Sequence, residues 1–502
     1  MAITTSYLFF AILPGAILSV FLYRFARDTY RLRYHKLAKF PGPRAAAVST
    51  DWLYKVSMEG DPEAEFARLH EAYGIHAIRI APNELHLSDP DLYKTVYSQD
   101  GRYPKEDNFY KTFANDHGVF GTMSPSLHKI LRQRMTPCFS HGNMVKGQSL
   151  MTSSLTELAA KLEARGYTRP VDMYSFCRCF PPDVISKFAF GQSTVLSACD
   201  DDFRTPILES FDAASKGTWY RAYFPHMRWL QDMMPIGIVA RFNEELQRLK
   251  DFQDFGRNGI RNVRAGATNG TELAPMMSSV KDLPEEAIQG TAISFIGGGS
   301  DTAGYTLAFA SWHVLRDANL HKRLLAELDP IFDAAAPEMP DLATLESAPV
   351  LNAVVNESLR CGPALPGRLP RVVPENAKAP LIVDGELVPA GTIVGLSAST
   401  MHRSPEIWGA DAATFNPDRW LEGRAKFSNI AVFGKGGRDC IGRPLALVEL
   451  HIGLAFLFHK YRYELQPGSD KWVSHDRFTA LATEPFFVKM TPRASGEGGI
   501  IA

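Results

Sequence analysis

The chain has 502 residues, 45% hydrophobic and 22% charged, with 54 Lys plus Arg against 55 Asp plus Glu. Those proportions exclude the disordered and low-complexity classes and leave enough apolar side chain for a large core. A formal charge of −1 lacks the basic excess that phosphate neutralisation needs, which excludes nucleic acid as a general partner. Six cysteines (Cys138, Cys177, Cys179, Cys199, Cys361 and Cys440) are too sparse for a disulfide framework and read as reduced core thiols; only Cys177 and Cys179 are close in sequence.

Residues 7–23 form an uncharged apolar run just long enough to span a bilayer as a helix. No Lys or Arg precedes it, whereas Arg24, Arg27, Arg31, Arg33 and Lys36 follow closely. That order places its C-terminal side in the cytoplasm and is the reverse of a cleaved secretory signal. The reading is a lumenal segment 1–6, an anchor 7–23 and a basic, proline-rich hinge 24–44, stiffened by Pro41 and Pro43. No second linker or repeat divides 45–502, so one catalytic domain is expected there.

Apolar residues at three- and four-residue steps predict helices over 62–73, 125–139, 149–164, 286–316, 319–334, 350–361 and 443–460. Strand-like alternation is confined to short pairs, His76 to Ser88 turning at Pro82-Asn83, and Leu381 to Leu396 with a first turn at Asp384-Gly385. The fold class is therefore mainly α with small β-sheets.

The most informative stretch runs from Phe433 to Pro444, where Gly434, Gly436, Gly437 and Gly442 crowd Cys440 just before an apolar helix. A thiolate at a helix start gains from the dipole and from free backbone N–H groups, and the glycines let the backbone come close. One cysteine with no second Cys or His at zinc spacing cannot close a zinc site, so a macrocycle supplying the other ligands is the economical inference, and that means haem.

Here the sequence resembles the cytochrome P450 family of haem-thiolate monooxygenases, through F-x-x-G-x-R-x-C-x-G filled by Phe433, Gly436, Arg438, Cys440 and Gly442. The resemblance implies haem b with Cys440 as axial iron ligand, Arg438 on a propionate and Phe433 beside the sulfur. It implies a triangular helical fold with haem held between a long distal helix and the cysteine loop.

Gly297, Gly298 and Gly299 sit inside the predicted helix 286–316, next to the polar Ser300, Asp301 and Thr302. By themselves they fit a helix break with Asp301 as the cap of a second helix. The family's (A/G)-G-x-(D/E)-T implies instead a kinked distal helix with a dioxygen groove at Gly298 and Gly299, and proton delivery by Asp301 and Thr302. Glu357 and Arg360, three apart on one helix face, could be a solvated pair. With Arg419 in Phe415-Asn416-Pro417-Asp418-Arg419-Trp420 they resemble the family's buried ionic triad, a structural rather than catalytic element. Further propionate contacts implied by the family fall on His128, Arg132 and Arg371.

The implied activity is insertion of one oxygen atom of O2 into an apolar small molecule, with electrons from NADPH through a separate flavoprotein reductase. Candidate walls are Phe109 to Phe120, Trp219 to Trp229, Ile293 to Gly298, Ala364 to Leu369 and Thr479 to Ala482. The style of Pro366 to Pro374 is similar to filamentous-fungal biosynthetic members, which points to a specialised metabolite and, more specifically, a terpenoid. The expected setting is the endoplasmic-reticulum membrane with a cytoplasmic catalytic domain, acting as a monomer. Two alternatives remain, a haem-thiolate isomerase or dehydratase needing no external electrons and a non-catalytic haem sensor or carrier. The Asp301-Thr302 pair argues for oxygen activation.

Overall fold

The computed structural model describes residues 2–98, 103–113, 115–233, 237, 241, 244–266, 273–376 and 379–493, without the side chains of 2–14, 245, 246 and 249. Its first helix runs Ala2–Arg33, so the basic residues Arg24 to Arg33 continue the helix rather than begin a hinge. Nothing between Arg24 and Arg33 removes a backbone donor; the first proline after them is Pro41. The link that follows is fastened to the domain. Arg31 Nη1 donates to Val48 O (2.5 Å), Arg79 Nη1 to Arg31 O (2.8 Å) and Arg79 N to Pro41 O (2.8 Å). A Cβ on Gly42 would lie 2.2 Å from Arg79 O, which explains glycine between the two prolines. Residues 7–14 of the apolar run have side chains outside the described set. From Ile17 (62% exposed) to Phe25 (66%), the apolar side chains face away from the protein. Among the described residues, no helix is long and apolar enough to cross a membrane.

The expected helices appear at Pro62–Tyr73, Pro125–Met135, Gln148–Arg165, Ala318–Ala335, Pro349–Cys361 and Arg443–Lys460. The end of the second, 136–139, tightens into a 3-10 turn. The segment 286–316 is two helices, Glu285–Ser300 and Thr302–Arg316, interrupted at Asp301. Periodicity alone does not predict Met173–Phe190, because Pro181 and Pro182 lie inside it. That helix is nonetheless buried on almost every side against both halves of the broken helix. Arg443–Lys460 occupies the centre of the molecule, packed on Thr302–Arg316, Pro349–Cys361, Ala318–Ala335 and Gln148–Arg165.

The sheets are small, as expected. Ala77–Ala81 and Glu84–Leu87 pair antiparallel, Ile393–Gly395 joins the second strand in parallel, and Arg371–Val372 closes the sheet antiparallel to it. Phe487–Pro492 pairs with Tyr461–Leu465 and Val171–Asp172. Two hairpins complete the set. One turns at Asp384-Gly385, both at positive φ; the other, Ser474–Arg477 with Thr479–Ala482, turns at Phe478. The second places Phe478 over the central cavity.

Candidate active site

The cysteine loop is shaped by backbone geometry that only glycine adopts without strain. Gly434 and Gly436 have φ of 67° and 75°, and a Cβ on Gly436 would lie 2.4 Å from Tyr97 O. The loop closes when Cys440 N donates to Phe433 O at 2.7 Å. Gly442 then caps Arg443–Lys460, whose first turn accommodates Pro444. The Cys440 sulfur opens onto a cavity of about 370 Å³, which Phe433, Arg438 and Gly442 also line. Burial pushes the Cys440 thiol up; the Gly442 N–H and the Arg132 charge pull against it.

At one end of this cavity Lys105, Arg371 and Arg438 are held close together. Their protein partners are backbone carbonyls: Phe120 O for Lys105, Tyr103 O for Arg371 (3.4 Å) and Thr122 O for Arg438 (2.9 Å). Arg371 Nε and the buried hydroxyls of Tyr103 and Tyr110 have no hydrogen-bond partner among the described residues. Burial, with Arg438 and Arg371 adding, holds the Lys105 ammonium well below its usual value. Burial and Arg371 bring Arg438 down to about 10. Among the described residues no carboxylate pairs with any of the three. Buried cations without an anion are costly, and two propionates at this end would answer them. The site therefore fits haem b, with Cys440 as the iron ligand and Lys105, Arg371 and Arg438 at the carboxylates.

The other two expected propionate contacts, His128 and Arg132, line the same cavity. Burial and the charges of Arg438, Lys105 and Arg132 lower His128 to about 3, the same unanswered positive field that lowers Lys105. Arg132 lines the cavity with its guanidinium bound to the carboxylate and carbonyl of Asp439, next to Cys440, so it braces the cysteine loop. Lys105 was not foreseen: a single lysine in the loop Pro104-Lys105-Glu106 carries no pattern.

Across the cavity stands the interrupted helix. A Cβ on Gly298 would meet nothing within 4 Å, whereas one on Gly299 would lie 2.7 Å from Ile185 Cγ1. Gly299 lets two helices touch, and Gly298 leaves room on the cavity side. Thr302 Oγ1 donates to Gly298 O (2.9 Å) and Thr306 Oγ1 to Thr302 O (2.9 Å), hydroxyl-to-backbone bonds of the kind that loosen and bend a helix. Thr302 lines the cavity, but Asp301 does not. Asp301 Oδ1 accepts from Arg178 Nε at 2.6 Å, and the other two nitrogens of Arg178 hold Asp212 at 3.0 and 2.6 Å. Burial raises the Asp301 carboxyl above its ordinary value and Asp212 adds to it, against Arg178. Arg178 was legible in principle, as one of three charges, with Asp183 and Lys187, among the mostly apolar residues of Met173–Phe190.

Glu357, Arg360 and Arg419 do meet. Arg360 Nη2 and Nε reach the two oxygens of Glu357 at 2.7 and 2.9 Å, and Arg419 Nε reaches Oε1 at 3.1 Å. All three are essentially inaccessible. Arg360 also donates to the carbonyls of His402, Ala412 and Thr414, and Glu357 accepts from Asn416 N and Trp420 Nε1. Burial acts to raise the Glu357 carboxyl, but the Arg360 hydrogen bonds and charge outweigh it and hold it low.

The cavity walls are largely apolar and overlap the expected segments at Phe113, Phe120, Ile293, Gly297, Leu365 and Thr479. Of the segment Trp219 to Trp229, Arg221 lines the cavity, whereas Trp219 lines a small adjoining void and Trp229 is 60% exposed. Phe478, Phe113 and Phe120 cluster over the cavity with ring centroids 4.3 to 5.8 Å apart. The Phe478 turn is fixed by Asp476 Oδ1, which accepts from Phe478 N at 2.8 Å, while Oδ2 has no partner among the described residues. Burial pushes the Asp476 carboxyl up to about 7. A carboxyl with a raised folded pKa keeps its full contribution at pH below its unfolded value, and loses it as pH rises through the folded one. Asp476→Asn should therefore melt higher than the parent at pH 8, by the equivalent of about 4 kcal/mol at most, with the gain shrinking toward pH 4. An equal gain at pH 5 and pH 8 would show that ionisation is not its cause.

Comparisons with known proteins agree with this geometry. The family model described as Cytochrome P450 matches residues 42–490. Cytochrome P450 monooxygenase MO6277 of Ascocoryne sarcoides is 29% identical over 503 residues, covering 93% of this chain and 95% of that protein. Cytochrome P450 monooxygenase cloA of Claviceps purpurea is 28% identical over 477 residues, covering 91% of each. The crystal structure of the cytochrome P450DA heme domain superimposes with a TM-score of 0.70 at 20% identity, covering 87% of this chain and 94% of that one, a likeness of fold. With the thiolate loop, the cation cluster and the interrupted distal helix in place, the chain belongs to the cytochrome P450 family and is a haem-dependent monooxygenase similar to fungal members.

Proposed function

We propose that this monooxygenase oxidises an apolar, fairly bulky specialised metabolite of terpenoid-like class, drawing electrons from NADPH through a separate flavoprotein reductase. The observation that carries the reading is the cavity itself, with the Cys440 sulfur at one face and Gly298 and Thr302 at the other. When bound there, thiolate-ligated haem supplies dioxygen activation and O–O cleavage. The chain's own residues do the rest. Phe113, Phe120 and Phe478 exclude water and orient an apolar substrate. Thr302 Oγ1, at the glycine opening, and the Asp301 carboxyl behind it pass a proton inward. Product mass analysis from a host expressing the chain with a reductase and candidate scaffolds tests the reading. A product gaining one oxygen atom, with NADPH and O2 consumed on substrate addition, supports it; turnover without either cofactor would favour the isomerase or dehydratase alternative.

Thr302→Ala is expected to bind haem and substrate normally while releasing reducing equivalents as hydrogen peroxide, because proton supply at the opening falters. Removal of one proton-transfer group typically costs about 10²–10⁴-fold in the step it serves. The ratio of product to NADPH consumed measures it, and an unchanged ratio would remove Thr302 from that role.

The same reading places the protein as a monomer on the endoplasmic-reticulum membrane, anchored by 7–23 with its catalytic domain in the cytoplasm. Two features support it: the exposed apolar side chains from Ile17 to Phe25, and the basic residues that follow the run. Protease added to sealed microsomes should digest the haem domain and spare only the first few dozen residues. Asn269-Gly270-Thr271 and Asn356-Glu357-Ser358 both read as the glycosylation pattern N-x-(S/T); the first lies outside the described residues, and Asn356 sits within a helix bonded to Asn352. Full protease protection, or a glycan at Asn269, would overturn the orientation.

A further inference from the structure

Cys179 lies on Met173–Phe190, and Cys199 lies in the segment leading from that helix to Pro206–Lys216. Both are free thiols, with their sulfurs 3.6 Å apart. A disulfide bond is about 2.0 Å long, so joining them needs an approach of about 1.5 Å in a segment without regular secondary structure on one side. The two sulfurs differ in setting. Cys179 is fully enclosed, and its thiol also lies 3.1 Å from Phe203 O. Cys199 is the outer one, 8% exposed, with the Lys161 ammonium bonded to its carbonyl at 3.1 Å. The hydrogen bond between the thiols, with Lys161 assisting, lowers Cys199, while that bond and burial raise Cys179. An outer thiol shifted down and backed, 3.6 Å away, by an enclosed one shifted up is the arrangement of an attacking and a resolving cysteine.

We propose that Cys179 and Cys199 form a reversible dithiol–disulfide site whose oxidant is hydrogen peroxide, the by-product of oxygen activation that fails to reach substrate. The Cys199 thiolate attacks one peroxide oxygen, the O–O bond breaks, and the departing hydroxide takes a proton to leave as water, giving Cys199 sulfenic acid. The Cys179 sulfur then attacks the Cys199 sulfur. The S–S bond forms, the S–O bond breaks, and hydroxide leaves with the Cys179 proton as a second water. Two thiols lose two electrons and two hydrogens, and one peroxide becomes two waters. The site also adjoins Asp301. Arg178, next to Cys179, grips Asp301, and Asp212 lies on the helix that follows Cys199.

The test treats holoenzyme with graded hydrogen peroxide, alkylates the remaining thiols after denaturation and maps peptides without reduction. A peptide joining Cys179 to Cys199 should accumulate while Cys177 stays fully alkylated, and dithiothreitol should reverse it. Cys199→Ser should lack it, and Cys179→Ser should leave a dimedone-trappable sulfenic acid at Cys199. Both cysteines alkylated as fully as Cys177 at every dose would overturn the proposal, as would Cys199 passing to sulfinic acid in the parent without a joined peptide. A carbon monoxide spectrum taken in parallel separates these outcomes from haem destruction. Neither substrate nor reductase is needed, so failure here leaves the proposed activity untouched.

Discussion

Glu357→Ala and Arg360→Ala are expected to yield insoluble or haem-free chain rather than a weakened enzyme. Each removes one partner from a fully buried ion pair and leaves the other without its counter-charge, which typically costs about 3 to 5 kcal/mol. Against a total stability of about 5–15 kcal/mol, that loss is severe. Arg360→Lys should fail similarly, because Nε, Nη1 and Nη2 each make hydrogen bonds that a single ammonium cannot reproduce. Soluble yield and the haem-to-protein ratio measure the effect. Well-folded, haem-replete variants would mean that the pair braces nothing near the cysteine loop.

Cys440→Ala is expected to abolish turnover while leaving the apoprotein fold intact. The sulfur opens onto the cavity, and its loop is closed by the Cys440 N to Phe433 O bond, which alanine keeps. The variant should match the parent in far-UV circular dichroism and lose substrate-dependent consumption of NADPH and O2 entirely. Retained turnover would transfer the ligand role to another residue.

The site was legible in the sequence wherever a residue's role is enforced by its neighbours along the chain. The cysteine loop needs glycines at fixed offsets because its backbone takes positive φ and approaches Tyr97 O, and that need is written in consecutive residues. Long amphipathic helices such as Ala318–Ala335 were readable for the same reason. What escaped depends on partners distant in sequence. Met173–Phe190 keeps its helix despite Pro181 and Pro182 because the surrounding core buries it, an override that periodicity does not contain. Lys105 reaches the cavity only because its loop bridges to Arg371, more than two hundred residues away. Asp301 sits beside Thr302 as the motif implies, but its carboxyl turns to Arg178 on another helix. The close cysteine pair is not Cys177 with Cys179, adjacent on one helix, but Cys179 with Cys199, brought together by the chain's return.

The carbon monoxide spectrum of the ferrous holoenzyme tests the central claim most directly, since it reports the atom bound to iron opposite the added gas. Thiolate ligation by Cys440 predicts the strongly red-shifted Soret band that electron donation from sulfur produces, present in the parent and absent in Cys440→Ala. Haem-replete parent protein with its band where imidazole-ligated haem absorbs, or a red-shifted band surviving in Cys440→Ala, would contradict the assignment.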